Sequence, residues 1–304
     1  MRLALKIDVD TLRGTREGVP ALARVLRERE LDATFLFTLG PDNTGRALKR
    51  LFRPGFLAKV MRTSVASNYG LKTLCYGVLI PGPDIGRRAA NDMRRVAAEG
   101  FEVGIHTWDH IRWQDYVARR GAEWTLAEFR PAVERFREVF GEEPHCFGAA
   151  GWQINAHALL LEAETGMRYA SDCRGERPFL PVVDGETFSC PQLPTTLPTL
   201  DELIGREGIT AENVADRLLE LGSRPPRGGG DHVFTLHAEL EGMAYLEVFE
   251  KLLDGWSDRG VEICAMRTLR DDLSLEALPR HELISGRVPG RSGTLAVQGR
   301  ELAG

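Results

Sequence analysis

The chain has 304 residues, 43% of them hydrophobic, and a formal net charge of −5 at pH 7. That is apolar material enough for one large core or two ordinary ones, and so mild a charge gives no reason to expect a nucleic acid partner. No stretch reaches the roughly 18–20 apolar residues of a spanning helix, and the opening MRLALKIDVD lacks the apolar run of a signal peptide.

In chain order, LALKIDV (3–9) predicts a buried strand. TREGVPALARVLRERE (15–30) predicts a helix with Val19, Leu22, Ala23, Val25 and Leu26 inward, and DATFLFTLG (32–40) a second strand. GRRAANDMRRVAAEG (86–100) predicts a helix closed by Gly100, and FEVGIHT (101–107) a third strand. TLAEFRPAVERFREVFG (125–141) predicts a helix with a kink expected at Pro131. HCFGAAG (145–151) and MRYASD (167–172) read as strands flanking the helix NAHALLLEAETG (155–166). SCPQLPTT (189–196) reads as an extended piece. The helix TAENVADRLLELG (210–222), the strand DHVFTLHA (231–238), the helix MAYLEVFEKLLDGWSDRG (243–260) and VEICAM (261–266) end the pattern. About seven β–α repeats imply an α/β fold with parallel strands covered by helices, closed or partly closed into a barrel.

One domain is expected over residues 1–275, with a polar, Gly-rich and mobile tail over 276–304. Residues 41–90 interrupt the alternation with nine Lys/Arg and two acids, a net of +7, interleaved with the apolar runs LFRPGFLAKVM (51–61) and LCYGVLIPG (74–82). The five cysteines, at 75, 146, 173, 190 and 264, show no C-x-x-C spacing and read as reduced thiols of a cytosolic protein.

The chemistry gathers at predicted strand ends, where β/α barrels place their reactive groups. Strand one ends in Asp8 and Asp10, strand three in His106 and His110, YASD in Asp172 followed by Arg174, and FTLHAE in His237 and Glu239. Two carboxylates two residues apart on one strand face resist ionising together without a cation. His106 and His110, four apart, would face one way on a helical turn and could supply nitrogen ligands. One carboxylate with two imidazoles leaves coordination positions open for water and substrate. The other carboxylate could then take a proton and His237 give one, which suits hydrolysis of an amide or ester.

The segments KIDVDT, HTWDH, SDCRG and TLHAE, in this order, resemble the polysaccharide deacetylase family of the NodB-homology or carbohydrate esterase type. The resemblance implies a distorted (β/α)7 barrel that removes acyl groups from amino sugars. It implies Asp8 as base, Asp10, His106 and His110 as ligands of one divalent metal (Zn, Mn, Co or Fe), His237 as acid and Asp172 as the residue orienting or tuning it. DVDTLRGTREGVP, GPDNTGR, AAGWQ, SDCRGERPF, PQLPTTLPTLDELIGRE and LHAELEG resemble the branch that deformylates an undecaprenyl-phosphate-linked 4-formamido-L-arabinose. A polyprenyl-phosphate-linked substrate implies a cytoplasmic enzyme in peripheral contact with the anionic inner membrane, with residues 41–90 on the bilayer or over the lipid. Arg13, Arg16 and Arg174 are candidates for the phosphate. Glu239 is expected to contact the sugar or support His237. The sequence departs from the family where CFGAAGWQ lacks the fourth-strand Arg that braces the base, and Arg174 is expected to take its part. The rival readings are a deacetylase of another amino sugar or cell-wall glycan, and a non-catalytic lipid-carrier-binding protein.

Overall fold

LALKIDV is apolar on both faces apart from Lys6 and Asp8, as a strand covered on both sides should be. In the computed structural model, which describes residues 1–47 and 71–303, it forms β1 (Arg2–Val9) within a parallel sheet. The other strands are β2 (Thr34–Phe37), β3 (Glu102–Ile105), β4 (Cys146–Phe147), β5 (Tyr169–Ala170), β6 (Leu180–Val183), β7 (Glu186–Thr187), β8 (His232–His237), β9 (Glu262–Cys264), β10 (Arg280–Gly286) and β11 (Leu295–Leu302). The main sheet runs β5-β4-β3-β2-β1-β8, and β9 pairs with β1. β8 accompanies β1 from Leu3 to Asp8, while β2 pairs with Lys6 to Val9 and β9 with Arg2 to Ala4.

The fold is α/β, and its sheet is a curled parallel half-barrel. No regular strand joins β5 to β8 among the described residues. The SCPQLPTT segment bridges them instead: Leu193 N donates to Ala170 O (2.8 Å), Thr195 N to Cys173 O (3.0 Å) and Thr196 N to Val233 O (3.0 Å). Prolines at 191 and 194 lack the N–H of a regular ladder, which keeps this piece short and irregular.

Helices Val19–Glu28, Ala90–Ala98, Ala122–Phe140, Ala156–Thr165, Val214–Gly222 and Leu246–Ser257 pack their apolar sides on the sheet. Val19, Leu22, Ala23, Val25 and Leu26 are buried as expected. Ala122–Phe140 is a single helix through Pro131. The first helix begins at Val19 rather than Thr15, after a wide π-helical turn at Gly14–Gly18. That turn wraps the chain following β8: a Cβ at Gly14 would strike the Glu239 carboxylate, and one at Gly18 the Ala238 carbonyl.

The expected mobile tail is a correction. β10 and β11 pair antiparallel, β10 docks in parallel on β6, and with β7 they form a four-stranded sheet. Arg174 N donates to Ala296 O (3.0 Å) and Gln298 N to Arg174 O (2.8 Å), so the terminal hairpin is tied to the segment after β5. Composition does not show this because the pairing partners lie far upstream. Part of the basic insertion, including LFRPGFLAKVM, lies outside the described residues. The adjoining described part is a helix, Leu71–Cys75, and a turn that exposes Val78, Leu79 and Ile80. Among the described residues no helix is long and apolar enough to cross a membrane. The five cysteines are free, and all but Cys75 are buried.

Candidate metal centre and active site

Side chains two apart on β1 share a face, so Lys6, Asp8 and, one step past the strand, Asp10 form a column. Beside it, β3 ends and His106 N donates to Phe37 O (2.8 Å). Thr107 then takes φ 84°, a left-handed conformation that costs a β-branched residue energy and turns the chain sharply. Asp109 accepts from Arg112 N (2.9 Å) and caps the helix His110–Tyr116. The two histidines therefore come from a strand end and a helix start, not from one helical turn as their spacing suggested.

They converge on Asp10. Its Oδ1 lies 3.3 Å from His106 Nε2 and 3.4 Å from His110 Nε2, and the two rings are 5.3 Å apart. One ligand atom from each of the three lies within 4.8 Å of the others. Asp10 Oδ1 is buried without a hydrogen bond, and so is His106 Nδ1. A carboxylate oxygen and two imidazole nitrogens that converge at 3.3–3.4 Å are a fitting donor set for a divalent cation. Burial pushes the Asp10 carboxyl up, but His110 and His106 outweigh it and hold the group well below the usual carboxylate range.

Asp8 stands next to the trio, with Oδ1 3.7 Å from His106 Nδ1 and accepting no hydrogen bond. Its Oδ2 accepts from Lys6 Nζ at 3.1 Å. His237 is the register partner of Asp8 on β8, so the two lie side by side across the sheet. Its backbone N donates to Glu241 Oε2 (2.9 Å), and its Nδ1 has no hydrogen bond. Burial raises the Glu241 carboxyl to about 8 despite that bond.

Three residues expected at the site hold other places. Arg174 does not reach Asp8. It clasps Glu202 Oε1 and Oε2 (2.6 and 2.8 Å), donates to Leu197 O (2.7 Å) and lies 5.0 Å from the Trp152 ring centre, so it is not available to a phosphate either. Asp172 does not bond His237. It accepts from Ala149 N (2.7 Å) and Gln192 Nε2 (2.7 Å), and burial raises it to about 6. Glu239 faces inward: its Oε1 accepts from Asp10 N (3.1 Å), Thr11 N (2.8 Å) and Thr11 Oγ1 (2.7 Å). Burial and then Asp10 raise its pKa. It shapes the turn that presents Asp10.

Glu239→Ala would strand two buried N–H groups and is expected to cost about 2–3 kcal/mol of stability. Urea unfolding would measure it, and an unchanged midpoint would remove the bracing role. Arg13 and Arg16 lie outside this cluster, Arg13 Nε with Glu17 (2.9 Å) and Arg16 Nη2 on Arg88 O (2.8 Å). Sequence reasoning missed Lys6 and Glu241. The signal for Lys6 was present in KIDVD, a lysine on the same strand face as both aspartates. Asn43 was also missed; its Nδ2 donates to Asp109 Oδ2 (2.6 Å) and steadies the histidine loop.

Comparison with known proteins agrees with this geometry. A protein of Shewanella sediminis (strain HAW-EB3) named "Probable 4-deoxy-4-formamido-L-arabinose-phosphoundecaprenol deformylase ArnD" is 36% identical over 301 residues, 98% of this chain and 94% of that protein. A protein of Wigglesworthia glossinidia brevipalpis with the same name is 32% identical over 286 residues, 94% of this chain and 98% of its own. Two solved structures share the fold. One, a Mycobacterium smegmatis protein assigned as a polysaccharide deacetylase, has a TM-score of 0.62 at 18% identity and covers 94% of each chain. The other, the chitin deacetylase of Colletotrichum lindemuthianum, has a TM-score of 0.54 at 14% identity and covers 91% of this chain and 89% of its own. With the polysaccharide deacetylase profile matching residues 3–170, more than half of the sequence, this chain belongs to the polysaccharide deacetylase family.

Proposed function

We propose that the chain hydrolyses the formamide of 4-deoxy-4-formamido-L-arabinose carried on undecaprenyl phosphate, giving formate and the lipid-linked 4-amino-4-deoxy-L-arabinose. The observation that carries this reading is the meeting of Asp10, His106 and His110 with Asp8 and His237 at neighbouring strand ends, in a chain whose near-full-length relatives bear that deformylase name. Asp10, His106 and His110 would hold one divalent ion, and when bound it supplies Lewis acidity and lowers the pKa of water. Asp8 uses its unoccupied Oδ1 to take the proton of the water that attacks the formyl carbon. His237, on the adjacent strand, protonates the nitrogen as the C–N bond breaks, since an amide anion is too poor a leaving group to depart unaided.

The substrate's lipid calls for contact with the cytoplasmic face of the inner membrane. The net +7 of residues 41–90 and the exposed Val78, Leu79 and Ile80 suit an anionic bilayer surface without a spanning segment. A cavity of about 620 Å³ lined in part by Asn43, Arg46, Leu79, Trp108 and Arg112 lies beside the histidine loop and offers room for the lipid-phosphate end. Arg13 and Arg16, the candidates for that phosphate from the sequence, do not line this cavity. The product's ammonium group would offset phosphate charge when the sugar is placed on lipid A, which favours resistance to cationic peptides.

The test is mass spectrometry of the lipid-linked formamido sugar incubated with the detergent-purified protein and Mn²⁺, beside a chelated control. Metal-dependent loss of the formyl group is expected. A protein that binds Mn²⁺ but leaves this substrate intact would discard the substrate and keep an amide hydrolase, such as a deacetylase of another amino sugar.

A further inference from the structure

We infer that Lys6 is the positioning residue of the base, taking the part for which the fourth strand offers no cation. This rests on the reading of Asp8 as base. Lys6 is fully buried on a strand hydrogen-bonded on both sides, opposite Thr34 and Thr235. An unpaired ammonium there would cost several kcal/mol, so its position needs a partner. That partner is Asp8 Oδ2, 3.1 Å away. The other side of the ammonium faces the Trp152 ring, 5.4 Å from its centre, a cation–π contact in a desolvated site. Gly148 closes over the stem, and a Cβ there would lie 3.0 Å from Lys6 Cε.

The nearby groups are otherwise committed. Asp172 accepts from Ala149 N and Gln192 Nε2 and feels the Lys6 charge, but no hydrogen bond joins the two, and Arg174 is held by Glu202. Trp152 is itself fixed: its Nε1 donates to Thr195 Oγ1 (3.1 Å), and its backbone holds φ 54°, a strained conformation kept by its surroundings. Lys6 therefore has one rigid place, and from it engages one oxygen of Asp8. The consequence is geometric. With Oδ2 tied to Lys6, the carboxylate cannot rotate, and Oδ1 stays turned towards the His106 side, where the water must be met. β1 thus carries brace, base and metal ligand at positions 6, 8 and 10, in one column.

The experiment compares Lys6→Met, Lys6→Gln, Lys6→Arg, Asp8→Asn and the Lys6→Met/Asp8→Asn double variant in the full-length protein. It reads kcat and KM for the lipid-linked formamide and the Kd for Mn²⁺ alone. Lys6→Met is expected to lower kcat by about 50-fold or more, part of the 10²–10⁴ of a general base. KM and the Mn²⁺ Kd should stay within about threefold, since binding groups are untouched. Lys6→Arg should recover most of the loss, and the double variant should be no slower than Asp8→Asn alone, because the brace acts only through the base. If Lys6→Met fails to fold, Lys6→Gln, one atom shorter but still a donor and without the charge, carries the same limits.

A neutral Lys6 variant with wild-type kcat overturns the inference. So does a kcat loss that comes with an equal loss of Mn²⁺ affinity, or a double variant in which the two losses multiply. Wild-type turnover in Asp8→Asn would instead sink the reading of Asp8 as base, and Lys6 with it. An inactive Asp8→Asn beside an active Lys6→Met would sink Lys6 alone.

Discussion

His106→Ala is expected to lose divalent-metal binding and to lower formamide turnover by about 10³-fold or more, a loss of several kcal/mol of Lewis acid stabilisation. His106 is the residue best placed to show this. Its Nε2 is 3.3 Å from Asp10 Oδ1, its side chain is almost fully buried, and its backbone is pinned to Phe37 O. Thr107 and the capped helix after Asp109 fix the path from it to His110. Titration calorimetry with Mn²⁺ or Zn²⁺ measures the first part, and the formate assay the second. A variant that bound metal as tightly as the wild type would show that the three residues do not form the site. Asp10→Asn is the milder companion: it keeps an oxygen but removes the charge, and should weaken metal binding without abolishing it.

His237→Ala should behave differently. Metal binding should be kept, while formamide turnover should fall by about 10²–10⁴, the worth of a positioned general acid. The loss should shrink sharply with an activated formate ester, whose phenolate leaves without a proton. That contrast separates an acid from a mere packing residue, since a structural defect would slow both substrates alike. His237 can play this part because it is half-buried, lies in register with Asp8, and keeps Nδ1 free of hydrogen bonds. Equal losses on amide and activated ester would remove the acid role.

Both predictions use residues that were visible as strand-end groups before any coordinates. The metal trio could be read because its logic is local: two-residue spacing puts Asp8 and Asp10 on one face, and the histidines sit one turn of chain apart. The reason given for the histidines was nevertheless wrong in detail, since a left-handed Thr107 and a helix start join them. Arg174 and Asp172 were misjudged because adjacency in sequence says nothing about which way a buried side chain turns. Arg174 follows the bridge at Thr195 and Leu197 to Glu202, and Asp172 turns to the backbone of Ala149. Lys6 went unread because a lone lysine in an apolar strand looks like a defect until its partner two residues on is considered.

By itself the sequence determined the α/β alternation, the inward face of the first helix, the rim at which the ionisable groups meet and the family to which the chain belongs. Each of these depends on short-range periodicity or on side chains within a few positions of one another. Only the tertiary structure decided how β5 meets β8 through a proline-broken segment. The same holds for residues 280–302 completing a second sheet, for Glu239 bracing the Asp10 turn from 229 residues away, and for the cation that holds Asp8. Those contacts join parts of the chain that share no local pattern. They are selected by burial, where each unpaired charge or backbone group must find a partner or cost more than the fold can spare.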